Sequence, residues 1–338
     1  MQNQAMTREP ARKLSEFRKR ARHSLHGHYW TYAGYFLSRL ESIEITDEPV
    51  LIDVSDEVSG SFQLEARFHD AKSDRCVVVF HGLGGSLESR YVQLAVRAAQ
   101  RAGLSTLRVS FRGANGKGAD VYHAGLTDDV RATLRSPALQ HMKHLFLLGY
   151  SMGGHVTLRY ASEAASARGI DPRVRAVSSV CAPLDLRKGV DAIQRTDRLP
   201  YQYNVLQTLK RHYRAVAEEA ERVGRVVHHP WQAVNAVKTI HEWDRLVVCP
   251  RYGFADIDTY YRECSVGPRL HAMELPTLIA VAEADPMVPR VTLEPWIQKT
   301  SEHVEVRCFE QGGHVAFPRS IAAGESLEDD IIAWLVSH

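Results

Sequence analysis

The stretch Leu145-Phe-Leu-Leu-Gly-Tyr-Ser-Met-Gly-Gly-His155 constrains this chain more than any other. Leu145 to Leu148 is wholly apolar, as a strand covered on both faces of a parallel sheet must be. Gly149-Tyr-Ser151-Met-Gly153 then fits Gly-x-Ser-x-Gly, and Val156, Leu158, Tyr160 and Ala161 read as helical. A serine between a buried strand and a helix sits on a strained turn. Flanking glycines let the backbone bend sharply and leave no Cβ to block the hydroxyl. The serine Oγ is expected above the sheet, near the positive end of the helix. With glycine near 7% of residues, the pattern arises by chance in roughly one chain in ten or twenty. The rest of the sequence has to decide.

Strands and helices alternate on both sides of this stretch. Cys76-Val-Val-Val-Phe80, Leu104–Val109 and Val174–Val180 read as strands, with helices over Tyr91–Arg101 and Leu126–Leu134. Such alternation predicts a parallel, doubly wound sheet with right-handed crossovers. Before it, Ile43-Glu-Ile45, Val50–Val54 and Phe62–Phe68 alternate polar and apolar residues and read as antiparallel strands. From Pro183 to Leu270 the alternation stops. About 85 residues without it are too many for a plain loop and call for structure of their own. A long helix over Val205–Val223, ending at Gly224, and the aromatics Trp231, Trp243 and Tyr252 make this a helical cap with an apolar site beneath it. The rhythm resumes with a strand at Thr277–Ala282, a helix at Val291–Lys299, a strand at Val304–Phe309 and a helix at Leu327–Val336. Ser326 and Asp329 stand in a capping-box relation at the start of that last helix. The expected units are an N-terminal basic and aromatic segment (1–40), a core (41–183 and 271–338) and a cap (184–270).

Composition narrows the class. The chain of 338 residues carries 42 basic and 40 acidic side chains, a net charge of +2, which gives no bias toward nucleic acid. Cys76, Cys181, Cys249, Cys264 and Cys308 are odd in number and lack Cys-x-x-Cys spacing, which points away from a disulfide framework or a zinc site. No run approaches the ~18 apolar residues of a membrane span. The first residues are basic and lack the apolar core of a secretory signal, so a cytoplasmic location is expected. That basic stretch, followed by Tyr29, Trp30, Tyr32, Tyr35 and Phe36, leaves room for a weak peripheral membrane contact. His23, His26 and His28 have no carboxylate or cysteine to complete a metal site.

Ligands of open α/β sheets bind beyond the carboxyl ends of the strands. There the sequence places His81-Gly-Leu-Gly-Gly85, Ser151, Glu283-Ala-Asp285 and Gly312-Gly-His314. A serine hydroxyl needs a base to take its proton, so His314 is expected beside Ser151. Asp285 would fix the histidine tautomer and stabilise the imidazolium. Glu283 is the rival acid, disfavoured because it lies nearer the strand. The amides of Met152 and Leu83 stand where oxyanion donors are needed. The order serine, acid, histidine is itself a signature. Two rival sites fail: Gly82-Leu-Gly84 meets Leu87 at the third glycine position of a dinucleotide fingerprint, and Gly113-Ala-Asn-Gly-Lys117 lacks the spacing of a P-loop. The Gly113 turn is expected at the pocket rim instead.

Several segments together resemble the YheT-like branch of the α/β-hydrolase superfamily, bacterial relatives of the animal ABHD esterases and phospholipases. They are His26-Gly-His28, His81-Gly-Leu-Gly-Gly-Ser86 with Tyr91, Phe111-Arg-Gly-Ala-Asn115, Tyr122-His-Ala-Gly125 with Thr127-Asp128, the serine turn, Tyr260-Tyr261 with Cys264-Ser265, Ala284-Asp-Pro286 and Gly312–Phe317. Gly84 and His155 depart from the family pattern, where an acid and an asparagine are frequent. The resemblance implies an α/β-hydrolase fold, a mostly parallel eight-stranded sheet with antiparallel N-terminal strands and a helical cap. It also implies the triad Ser151, Asp285 and His314. The expected activity is that of a serine carboxylester hydrolase on apolar acyl esters, without cofactor or metal. Acyl transfer to an alcohol, lipid or phospholipid ester cleavage, and a non-catalytic ligand-binding role are the alternatives. The partner is a small ester or lipid-like molecule, and no feature fixes the oligomeric state.

Overall fold

The computed structural model describes residues 25–33, 43–57, 60–116, 120–164, 166, 168–222 and 229–338. Residues 25–33 are helical (α1). A hairpin of β1 (Glu48–Asp56) and β2 (Gly60–His69) precedes the alternating part. That part runs β3 (Arg75–Phe80), α2 (Arg90–Arg101), β4 (Ser105–Val109), α3 (Asp128–Leu134), β5 (His144–Tyr150), α4 (Met152–Ala161) and β6 (Val174–Val180). Helices α5 (Leu186–Ile193), α6 (Leu199–Arg222), α7 (Trp231–Ala236), α8 (Ile240–Trp243), α9 (Cys249–Tyr252) and α10 (Ile257–Cys264) follow. The chain then returns through β7 (Thr277–Ala282), α11 (Arg290–Ile297), β8 (Val304–Phe309) and α12 (Leu327–Val336).

The eight strands form one sheet in the order β1-β2-β4-β3-β5-β6-β7-β8. The β1–β2 and β2–β4 pairings are antiparallel, and the other neighbours run parallel. The expected fold class is therefore present. Alternate residues of the central strands feed opposite faces, as a pleated strand requires. Val78, Phe80, Leu145 and Leu147 point to the α3 and α4 side. Val77, Val79, Phe146 and Leu148 meet α2 and α12. This double cover is why the strands read as unbroken apolar runs.

Some local expectations differ from the structure. Residues 43–47 pair with no strand. β1 pairs with Gly60–Phe68 of β2, starting with Glu48 opposite Phe68, and Asp47 instead binds Arg108 at 2.8 Å. The long helix α6 begins at Leu199, with Pro200 in its first turn, where a missing N–H costs nothing. Val223 and Gly224 lie outside the described residues, as do the basic stretch 1–24, Tyr35 and Phe36. The capping box at Ser326 is present, with the Ser326 amide donating to Asp329 at 2.8 Å.

Three buried polar residues tie the layers together. Arg112 and Asp129, both fully buried, pair at 2.5 Å and join the end of β4 to α3. His155, on α4, has ring nitrogens 2.6 Å from the Pro183 carbonyl and 2.8 Å from that of Cys264. It thereby sits between the two ends of the helical insertion and, as a neutral ring, donates its single N–H to one of these carbonyls. Burial lowers its pKa to about 4, against the pull of the two carbonyls. Among the described residues, no helix is long and apolar enough to cross a membrane.

Candidate active site

β5 ends at Tyr150 and α4 begins at Met152, leaving Ser151 alone at the bend. Its φ of 51° and ψ of −119° are values a non-glycine residue holds only when its surroundings impose them. The Ser151 amide donates to Val180 O at 2.8 Å, and its carbonyl accepts from His155 N at 3.0 Å. The glycines on either side serve close packing more than bending, since neither Gly149 nor Gly153 has a positive φ. A Cβ on Gly149 would strike the Gly153 carbonyl, and one on Gly153 the carbonyls of Phe80 and His81.

His314 stands beyond β8 and brings Nε2 to 2.9 Å from Ser151 Oγ. Its Nδ1 lies 2.9 Å from Asp285 Oδ2. Asp285 follows β7, and its Oδ1 accepts the amides of Met287 at 2.8 Å and Val288 at 2.9 Å. The acid is thus fixed before it meets the histidine. With Nδ1–H donated to the carboxylate, Nε2 is left as the acceptor for the serine hydroxyl. Glu283 turns instead to Arg290. Cys181 Sγ lies within 4.8 Å of the ligand-type atoms of Asp285 and His314. Burial, then the Asp285 charge, raises its thiol pKa well above the usual value.

The glycine turn after β3 is pinned on both sides of Leu83. The Gly82 amide donates to Tyr91 Oη at 3.1 Å, and the Gly84 amide to Tyr122 Oη at 2.8 Å. The Leu83 amide makes no hydrogen bond among the described residues. Neither does that of Met152, which as the first residue of α4 has no partner within the helix. His81 closes the turn: Nε2 accepts the Phe111 amide at 3.3 Å while Nδ1 meets Gly82 O at 2.8 Å. Burial lowers its pKa to about 4, so the ring is neutral near neutrality.

α1 belongs to the site, a role the sequence reading missed. Thr31 Oγ1 accepts the backbone amide of His314 at 2.8 Å and donates to Gly27 O at 2.8 Å. A Cβ on Gly27 would collide with the Ala284 carbonyl, and one on Gly313 with Gly27 O. The helix is therefore seated directly on the two loops that carry the acid and the histidine. His28 Nδ1 lies 2.7 Å from the Tyr201 hydroxyl of α6, and Tyr32 stacks on the same ring at 5.2 Å. The quoted His26-Gly-His28 segment was the only signal for this arrangement.

A cavity of about 900 Å³ lies before Ser151, Met152, Leu83 and His314. Trp30, Thr31 and Tyr32 of α1 form one part of its wall. Leu186, Val190, Leu209, Ile240 and Trp243 of the insertion form another. Of the three aromatics singled out in the sequence, only Trp243 is there. Trp231 lies under the Arg214 guanidinium at 5.7 Å, and Tyr252 donates its hydroxyl to Val121 O. The Gly113 turn is not at the rim either, because it packs on the backbone of Asp120 and on Val216.

Known proteins share this framework. Residues 77–323 match the model of the alpha/beta hydrolase family. The Escherichia coli protein YheT is 33% identical over 269 residues, 78% of this chain and 76% of that one. A Saccharomyces cerevisiae "medium-chain fatty acid ethyl ester synthase/esterase 2" is 25% identical over 71% of this chain and 57% of its own. Among solved structures, an esterase from Pyrococcus furiosus superposes with a TM-score of 0.57 at 15% identity, covering 86% of this chain and 91% of that one. On the strength of this match and of the YheT likeness, the chain belongs to the alpha/beta hydrolase family, in its YheT-like branch.

Proposed function

We propose that the protein is a serine carboxylester hydrolase acting through an acyl-enzyme on esters with an apolar acyl group. The observation that carries this reading is the run of 2.9 Å contacts from Ser151 Oγ through His314 to Asp285, on a backbone bend held at positive φ. Ser151 Oγ attacks the ester carbonyl carbon and passes its proton to His314 Nε2. Asp285 holds the imidazolium that forms. The carbonyl oxygen gains the negative charge and takes the free amides of Leu83 and Met152, each worth about 3 kcal/mol of barrier in comparable sites. Collapse breaks the bond to the alcohol oxygen, which leaves with the proton from His314. Water then repeats the sequence on the acyl-enzyme and releases the acid. The helices from 184 to 270 act as a cap, and their apolar wall with Trp243 receives the chain.

The test is hydrolysis of p-nitrophenyl esters together with fluorophosphonate labelling. The wild type turns over and is labelled at Ser151, whereas Ser151→Ala does neither. A Ser151→Ala protein that cleaves at the parent rate overturns the reading, and absence of labelling in the wild type would favour a non-catalytic binding protein. Transfer of the acyl group to an alcohol uses the same intermediate. The yeast relative named for both synthesis and cleavage supports that second reading. Measuring the partition between acid and new ester in added alcohol separates the two.

A further inference from the structure

The cavity wall holds an acid that ester cleavage does not use. Asp244 follows α8 and opens a π-helical turn, Asp244–Val248. Such widened turns are uncommon and concentrate at functional positions. The residue is 8% exposed, and what remains open faces the cavity beside Trp243, Val248 and Tyr261. Tyr261 donates its hydroxyl to Asp244 Oδ2 at 2.9 Å. No other side chain among the described residues donates to this carboxyl, and no cation pairs with it. Arg187 lies 5.3 Å over the Tyr261 ring and is engaged with Asp258. Burial, opposed by the tyrosine bond, raises the Asp244 pKa to about 7.

The second oxygen of this acid accepts from no described side chain, and a group that fills the cavity can supply its partner. The chemistry of that partner is narrow. An anionic group finds no cation here and would face a carboxyl. An ammonium needs an ionised partner, which burial disfavours. A hydroxyl suits either form of the acid, since it donates to both and also accepts from the protonated one. The surrounding wall of Leu209, Ile240, Trp243 and Val248 suits the hydrocarbon that would carry it.

We infer that Asp244 and Tyr261 form a subsite for a hydroxyl on the substrate chain, remote from the reacting carbonyl, so that hydroxylated esters are preferred over plain ones. This rests on the ester-hydrolase reading. The experiment compares kcat/KM for esters of ω-hydroxy, plain and ω-amino alkanoic acids across a series of chain lengths. The same three end groups are also placed on the alcohol side. At the length that reaches Asp244, the hydroxy ester is favoured by about tenfold, the worth of one good hydrogen bond. In Asp244→Leu the ratio falls to about one. Asp244→Asn keeps it, because the amide still donates and accepts. Should Asp244→Leu fail to fold in thermal unfolding, Tyr261→Phe serves instead and lowers the ratio. A ratio near one in the wild type at every length in both series, or a ratio that survives Asp244→Leu, overturns the subsite. A preference for the amine that Asp244→Asn abolishes assigns an ammonium site in its place and also overturns it. If the wild type cleaves none of the esters, plain ones included, the ester-hydrolase reading itself fails and the subsite falls with it.

Discussion

The strand-end wall of the cavity and the helical wall opposite it face the same space, yet they tolerate change very differently. On the strand-end side, backbone geometry dictates identity position by position. Ser151 holds φ 51°, and a Cβ on Gly153 would strike two carbonyls. Tyr91 and Tyr122 each spend a hydroxyl on one amide of a single glycine turn. On the helical side, Leu186, Val190 and Leu209 contribute volume and apolar surface, which other residues of similar size could supply. On the proposed reading, chemistry resides where the backbone leaves no freedom, and selectivity where packing leaves some.

The contrast can be tested by mutation, beginning with the largest effect. Asp285→Asn should lower kcat by about 10⁴-fold in ester hydrolysis, because the histidine loses its tautomer control. Glu283→Gln, two residues away and turned to Arg290, should change kcat less than about twofold, since it severs only a partly exposed ion pair. Equal losses would erase the distinction between the two acids. Next comes Arg112→Leu, which strands the fully buried Asp129 and should cost about 3–5 kcal/mol in denaturant unfolding. A smaller rank belongs to Thr31→Val, which removes the acceptor for the His314 amide. It should reduce kcat by about tenfold with KM nearly unchanged, and Thr31→Ser should restore it. The mildest change is expected on the helical wall. Trp243→Ala should shift the preferred acyl length upward, with each extra CH₂ gained worth about 0.8 kcal/mol, read from a chain-length series. A catalytic collapse there would show that the helical wall also positions the reacting atoms.

The same contrast accounts for what the sequence made legible. Ser151, Asp285 and Leu83 could be located because each follows an apolar run whose end is visible in the chain, and His314 because Gly312-Gly313 marks the turn after an alternating strand. Trp231 and Tyr252 were misplaced because an aromatic residue on a short helix can turn either way, and nothing local sets the phase. Asp244 went unnoticed for a related reason: its importance comes from burial next to Tyr261, seventeen positions away. The glycines of the serine turn were located correctly but for an incomplete reason, since Gly149 must clear the backbone of the following helix and Gly153 the carbonyls of Phe80 and His81. α1 was hardest to read. Its basic surroundings resembled a peripheral segment, while its partners lie at the far end of the sequence.

That last contact has a temporal consequence. The Thr31 hydroxyl and the His314 amide are separated by 283 positions along the chain. During synthesis the first is made long before the second exists. The strands from β5 onward can join the sheet in the order they emerge, but the histidine loop has no seat until α1 and the segment after β8 meet. Seating of the histidine loop is therefore among the last contacts this polypeptide can make, and on the proposed reading the ability to attack an ester arrives with it.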